Sequence, residues 1–358
     1  MLSALTEKQE MVYLTHELSK ERLLEIRQTQ HFYCPACHEQ LVLKIGQVMI
    51  PHFAHRKNEH CQVFSEGESA LHLQGKYALY RWLQFQHMPV LVEPYLKAIQ
   101  QRPDLLIQQQ DKYIAVEFQC SALTPKRLTK RNKGYQKLGI EPLWIAKAKP
   151  SFYEGVQCVQ LAPFYQQFIL NRQLLTFDVE REQLQMYDHL IHIAGRRYLT
   201  TAKRTPIHHQ PFPLELVIPF EQEKIAEQWL QERERYLVNR LRFNRRGIQD
   251  SFFKLCYEHK IMLQALPNWI GIPSSVQLSV HPVEWQLALT CFIRSGVTQD
   301  LSSQLYHHNR TWRIPERAIR TYIDFVQREN PNLSWQDLEI SSISEEIYRQ
   351  YVALKFDN

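Results

Sequence analysis

The apolar positions change period along the chain, and the changes divide it into three segments. In residues 1–62 the apolar runs are short. Met11-Val12-Tyr13-Leu14 is one, and 19–27 reads as a short helix with Ser19 as its N-cap. Residues 41–50, Leu-Val-Leu-Lys-Ile-Gly-Gln-Val-Met-Ile, read as a hairpin turning near Gly46. From 65 to about 85 the apolar residues recur at three and four, with Leu71, Tyr77, Ala78, Tyr80, Trp82 and Leu83 on one helical face. Strands are expected at 90–96, 104–107 and 112–118, then a basic helix at 125–138, then strands at 142–146 and 156–161. This order of helix, three strands, helix and two strands predicts a mixed sheet flanked by helices over 63–170. From 171 to 358 the pattern is mostly helical, clearest at 222–241, 248–266, 282–294 and 315–328. The proline-rich stretch near 200–219 reads as an irregular linker.

Composition narrows the class. The chain has 358 residues, 44% apolar and 22% charged, which is ordinary for a globular protein of two or three domains. A net charge of +6 suits an anionic partner without requiring one. Only ten glycines are present, and neither GxGxxG nor GxxxxGK[ST] occurs, which argues against dinucleotide and P-loop folds. The first residues lack a basic region followed by an apolar one, and no uncharged apolar run reaches spanning length. A cytoplasmic protein without membrane insertion is expected. The seven cysteines fit a metal site better than a disulfide scaffold.

Two constellations carry chemistry. Cys34-x2-Cys37 has zinc-knuckle spacing, and His52, His55 and Cys61 follow within 28 positions of Cys34. Five donors compete for four places. The set Cys34, Cys37, His55 and Cys61 is favoured, with His52 as the competitor and a structural Zn²⁺ as the expected occupant.

The second constellation is acidic. Asp104 opens the strand at 104–107, Glu117 lies in the otherwise apolar strand at 112–118, and the connection at 108–112 is short and polar. A hairpin would bring the two carboxylates together, as needed to hold Mg²⁺ or Mn²⁺ against a phosphodiester. Gln119 shares the face of Glu117 by the period of two, at a place where a nuclease of this design usually carries Lys. Glu68-x3-His72-x3-Lys76 sets three polar groups on one helical face. Glu68 could complete the metal site and Lys76 could supply the missing positive charge.

Downstream, Lys126, Lys130, Lys133 and Lys137 recur at three and four, and no acidic residue occurs from 121 to 140. This stripe matches a phosphate track. Tyr135, within it, reads as a core residue. Arg233, Arg235, Arg240, Arg242, Arg245 and Arg246 form a second basic cluster, diluted by Glu232 and Glu234.

Taken together, Cys34-Pro35-x-Cys37, Pro51-His52-Phe53-Ala54-His55, Glu68-x3-His72-x3-Lys76, Arg102-Pro103-Asp104 and Val116-Glu117-Phe118-Gln119-Cys120-Ser121 resemble the competence protein CoiA family of transformable Gram-positive bacteria. The likeness is strongest over residues 30–146. It implies a restriction-endonuclease-like α/β core of the PD-(D/E)XK nuclease type, an N-terminal zinc-binding module and a mainly helical C-terminal domain. It also implies a metal-dependent nuclease that processes incoming single-stranded DNA for recombination during natural transformation, with a recombinase or other competence proteins as partners. Asp104 and Glu117 would be the Mg²⁺ or Mn²⁺ ligands, Glu68 the helix carboxylate, and Gln119 the occupant of the usual Lys position. The rival expectation is a DNA-binding recombination accessory or adaptor protein without catalysis.

Overall fold

The computed structural model describes residues 1–329 apart from 15–17, 48, 57–60, 62–67, 215–216, 268 and 275. The N-terminal module pairs strands β1 (Ser3–Thr6), β2 (Met11–Tyr13), β3 (Phe32–Tyr33), β4 (Gln40–Lys44) and β5 (His52–His55) into an antiparallel sheet ordered β2-β1-β3-β4-β5. Helix α1 (Lys20–Thr29) starts at Ser19, whose side chain accepts the Arg22 N–H, and buries Leu23 with Phe32, Leu41, Leu43 and Phe53. The 41–50 hairpin differs from expectation. The return strand is β5, so His52–His55 lie in the ladder rather than after it. Lys44 pairs with His52, so the ladder opens before Gly46 and closes again after Pro51.

The central sheet has eight strands in the order β10-β13-β12-β11-β9-β8-β7-β6. Helix α2 (Ala70–Phe85) begins at Ser69, which accepts the His72 N–H. The first three of the 65–69 positions expected in this helix lie outside the described residues. Strand β6 (Val90–Val92) pairs with β7 (Leu105–Gln109), and β7 returns through Gln110-Asp111 into β8 (Lys112–Gln119). Gln110 takes the left-handed φ of +51° that this two-residue turn requires. Helix α3 (Pro125–Lys137), capped by Thr124, then crosses over so that β9 (Ile140–Lys147) runs parallel to β8.

The pleat of β7 and β8 divides the core. Leu105, Ile107, Val116 and Phe118 pack toward α2, while Leu106 and Ala115 pack with Tyr135 of α3. Gly75 lets α2 sit against the strand. A Cβ there would fall 2.2 Å from the Phe118 ring.

The sheet does not stop near 170. After β10 (Gly155–Gln160) and the short α4 (Pro163–Gln166), residues expected to begin a helical domain form β11 (Leu174–Asp178), β12 (Gln183–Ala194) and β13 (Arg197–Pro206). The stretch read as a linker from 200 is therefore ladder as far as Pro206. Its prolines misled the reading, because Pro206 only ends the strand and the others follow it. Gly195-Arg196 closes the β12–β13 hairpin, with Gly195 at φ +56°.

Helices α5 (Gln222–Arg242), α6 (Ser251–Glu258), α7 (Pro282–Arg294), α8 (Leu301–His308) and α9 (Glu316–Glu329) make the C-terminal part. The helix expected at 248–266 shortens to α6, and α8 is additional. Ile191, Ile193 and Leu199 of the sheet share one apolar cluster with Ile225, Trp229, Trp285, Leu289 and Ile319 of these helices.

His281 caps α7, its Nδ1 accepting the Val283 N–H at 3.3 Å. Its ring lies flat against Tyr236, with centroids 3.6 Å apart and planes at 4°. Burial first, then the charges of Arg197 and Arg233, lower its pKa from 6.5 to about 3. Below pH 6.5 the unfolded chain therefore takes up a proton that the folded chain refuses, and stability falls until about pH 3. We expect the wild type to lose roughly 2 kcal/mol more than His281→Gln between pH 7 and pH 5 in urea titrations. Equal losses in the two proteins would contradict this.

Candidate metal centres and nucleic-acid groove

In the N-terminal module the knuckle Cys34–Cys37 lies between β3 and β4. The Cys34 N–H bonds to Glu39 O at 2.9 Å and the His38 N–H to Cys34 O at 2.9 Å, with His38 at φ +61°. Ala36 N–H donates to Cys34 Sγ at 3.4 Å. One donor atom each from Cys34, Cys37, His55 and Cys61 falls within 4.8 Å of the others, and Cys37 Sγ is 3.3 Å from His55 Nε2. His52, the competing donor, turns elsewhere and sets its Nδ1 2.9 Å from Ile50 O. Burial pushes the Cys34 thiol up to about 12 and raises Cys37, which disfavours their thiolates unless a cation is bound. Three soft sulfurs and an imidazole at this spacing fit a tetrahedral cation, which would stabilise the thiolates.

The second centre is a buried ion network over the edge of β7 and β8. Lys76 of α2 is fully buried. Its Nζ donates to Glu68 Oε1 at 2.6 Å, donates to Glu93 Oε1, and lies 3.6 Å from Asp104 Oδ1. Arg102 Nη1 donates to Glu93 Oε2 at 3.1 Å. Glu93 Oε2 also accepts the N–H groups of Leu2 and Ser3 and the Ser3 hydroxyl, at 2.9–3.1 Å. Burial by itself would discharge Lys76, but Glu68, Glu93 and Asp104 reverse this and hold it protonated. Burial likewise disfavours ionised Glu68. The charges of Lys76, the Met1 ammonium and Arg102 outweigh it and keep this carboxyl well below its usual range.

Asp104 precedes β7. The β7–β8 register pairs Leu105 with Val116, so the next position outward sets Asp104 against Glu117. The two side chains nevertheless have different partners. Asp104 Oδ2 accepts from Phe118 N at 2.9 Å and lies 3.1 Å from His72 Nε2. Glu117 Oε1 accepts from Arg131 Nη2 and Tyr135 Oη on α3. The group with converging donor atoms, within 4.8 Å of one another, is Glu68, His72 and Asp104, without Glu117. The pKa values part as well. Burial opposes ionisation of Asp104, but His72 and Lys76 hold it below its ordinary value. Burial, helped by the Asp104 charge, pushes Glu117 up against the pull of Arg131. Gln119 Nε2 donates to Ser121 O at 2.9 Å.

Carboxylates with one imidazole are a donor set for a hard or borderline divalent ion, and Mn²⁺ accepts imidazole more readily than Mg²⁺ does. Lys76 reaches this centre only through the carboxylates it neutralises.

Two members of the network are not flagged by spacing. Glu93 carries no motif, although it closes the apolar strand Val90-Leu91-Val92 and precedes Pro94, where a carboxylate needs partners. Arg131 reads as one more cation of a basic helix, yet its side chain faces inward to Glu117 and to Arg102 O at 2.9 Å.

The lysine stripe does face solvent. Lys126, Lys130, Lys133 and Lys137 are all exposed, and with Lys97 they line a groove of about 590 Å³ between α3 and the 97–101 loop. Gly134 admits that loop, because a Cβ there would meet the Gln101 amide at 2.2 Å, and Gln101 Nε2 donates to Lys130 O. Arg102 and Asp104 follow the same loop.

Replacing Lys76 by Met should cost about 3–5 kcal/mol in urea denaturation at pH 7, because Glu68 and Glu93 would be left buried without their ammonium. Adding Glu93→Gln should recover part of that loss. A cost below about 1 kcal/mol would show that the network is solvated.

Comparison with known proteins adds family membership. Three family models match consecutive stretches: the competence protein CoiA N-terminal domain over residues 15–64, its nuclease-like domain over 68–217, and its C-terminal domain over 225–329. The nuclease-like match runs through β13, in keeping with the full extent of the sheet. The competence protein CoiA of Bacillus subtilis (strain 168) is 36% identical over 188 residues, covering 50% of this chain and 49% of that protein. The chain thus matches about half the length of that relative. No solved structure matches. Among the described residues no helix is long and apolar enough to cross a membrane. The domain matches together span most of residues 15–329, and this chain belongs to the competence protein CoiA family.

Proposed function

We propose that the chain is a Mg²⁺- or Mn²⁺-dependent deoxyribonuclease of the PD-(D/E)XK type that processes incoming DNA for recombination during natural transformation. The observation that carries this reading is the convergence of Glu68, His72 and Asp104 beside a groove lined by five lysines. Asp104, with Glu68 and His72 on one side and Glu117 on the other, would hold the cation. A divalent ion bound there supplies an activated water and charge neutralisation at the phosphodiester. Asp104 stays ionised to bind it. Lys76 fixes Glu68 and steadies the negative charge around Asp104. Gln119 orients water by hydrogen bonding. The lysine stripe tracks the phosphates of one strand, and the family reading favours single-stranded DNA. Zn²⁺ on Cys34, Cys37, His55 and Cys61 has a structural role.

A second reading is favoured by one observation. Glu117 is engaged by Arg131 and Tyr135, and Gln119 by Ser121, which suits a DNA-binding accessory protein without cleavage. A recombinase or another competence protein would then be the partner.

Labelled single- and double-stranded DNA should be cut by the purified chain with Mn²⁺ or Mg²⁺, and Asp104→Asn should reduce cutting to background. An inert wild type that still binds DNA would replace the first reading with the second. Lys126→Gln with Lys130→Gln and Lys133→Gln should lower the slope of log K against log salt by about 2 for single strands. An unchanged slope would remove the groove from the binding surface. Metal analysis should find one zinc per chain, lost in Cys37→Ser and kept in His52→Ala. The reverse pattern would exchange the ligands.

A further inference from the structure

The six arginines of residues 233–246 do not act as one patch. Arg233 is buried and donates to the carbonyls of Leu266, Pro267 and Ile270 at 2.7–3.0 Å. Arg235 pairs with Glu232. Arg240 pairs with Asp250 and with Glu284, both at 2.9 Å. Arg246, on the α5–α6 turn, makes no side-chain hydrogen bond or ion pair among the described residues, and the same holds for Arg310 after α8. Both line one open cavity of about 810 Å³, whose other walls come from β13, the start of α7 and the α5 helix. That volume lies in the range of about 300–1,000 Å³ typical of small-ligand sites.

The lining is organised. Arg197 of β13 enters the cavity while paired to Glu232. The two acids of the lining, Asp250 and Glu284, are both engaged by Arg240, and Glu284 also accepts the Tyr236 hydroxyl. Among the described residues, Arg246 and Arg310 are therefore left as cations without an ion-pair partner. The α7 N-terminus adds the positive end of a 13-residue helix. Trp229, His281 and Tyr236 stack as a column, and its outer ring, Tyr236, is half-buried and lines the cavity. His281 Nδ1 is occupied as an acceptor, so the neutral ring carries its proton on Nε2, a donor at the cavity wall. Arginine forks match phosphate oxygens, and an aromatic platform takes a base.

We propose that this cavity is a nucleotide-binding site, with the phosphate on Arg246 and Arg310 and the base toward the Tyr236 end. The occupant is either a free mononucleotide or the terminal nucleotide of a strand. The proposal stands independently of the metal centre, which lies in another part of the fold.

The test uses the full chain and a fluorescent deoxyadenosine monophosphate, with a 5′-phosphorylated hexanucleotide and its unphosphorylated twin as second probes. The wild type should bind. The double variant Arg246→Gln, Arg310→Gln should bind at least tenfold more weakly with an unchanged melting temperature. Asp104→Asn and the Lys126→Gln, Lys130→Gln pair should bind the mononucleotide as the wild type does. Binding of the mononucleotide identifies a free-nucleotide site. Binding of only the phosphorylated hexanucleotide, still lost in the double variant, identifies a strand end. The proposal fails if neither probe binds. It also fails if the arginine variant binds as the wild type does, or if the lysine pair alone abolishes binding.

Discussion

Lys76 is the residue around which the rest of this molecule is arranged. Its ammonium has no access to water, so its charge is held only by the carboxylates of Glu68, Glu93 and Asp104. Glu93 is fully buried and Glu68 and Asp104 are half-buried, so each would be costly alone. A network of this kind contributes little net stability compared with an apolar replacement, but it admits one arrangement of its parts. Three parts meet here: α2 with Lys76 and His72, the β6–β7 edge with Glu93, Arg102 and Asp104, and the start of β1, whose Leu2 and Ser3 amides bond to Glu93. Glu93 adopts φ +52°, a conformation that costs a β-carbon about 1 kcal/mol or more. The residue accepts that strain because its carboxylate has partners on every side.

The acidic pair illustrates how environment assigns different states to similar groups. Asp104 and Glu117 occupy facing positions of one hairpin, yet one is driven toward the anion and the other toward the acid. The cause is which helix each meets. Asp104 meets α2 with His72 and Lys76, whereas Glu117 faces α3, where Tyr135 is buried with it and Arg131 is its single cation. Opposite shifts in neighbouring carboxyls are a recurrent basis for dividing acid and base roles.

Much of the fold was legible because local chemistry marks it. Ser19 announces the helix it caps, and residues 282–294 carry a helical period that becomes α7 without adjustment. The sulfur and imidazole cluster was legible from spacing, since two thiols on one tight turn constrain where a third and fourth donor must arrive. What stayed hidden depends on long-range partners. Glu93 looks like any strand-end acid until Lys76 and Arg102 are folded onto it. Strand β12 is buried on both faces along most of its length, so it shows little alternation, and Asp188 and His192 interrupt its apolar run. The cluster of arginines looks uniform in sequence and separates only when Arg233 finds carbonyls and Arg240 finds carboxylates.

The cysteine-bearing module is continuous with the acidic centre. His55 ends β5, and two residues earlier the Phe53 N–H bonds to Met1 O at 2.8 Å. The next two amides along the chain, those of Leu2 and Ser3, are the ones that bond to Glu93. A cation drawing His55 toward Cys34, Cys37 and Cys61 would therefore also fix the strand that delivers two N–H donors to the partner of Lys76. If that ladder frays, Glu93 loses donors that Lys76 and Arg102 alone do not replace, and Glu68 and Asp104 feel the change through Lys76. The N-terminal module thus acts on the Glu68, His72 and Asp104 group in two ways, through the backbone hydrogen bonds to Glu93 and through the Met1 ammonium, 2.7 Å from Glu68 Oε2.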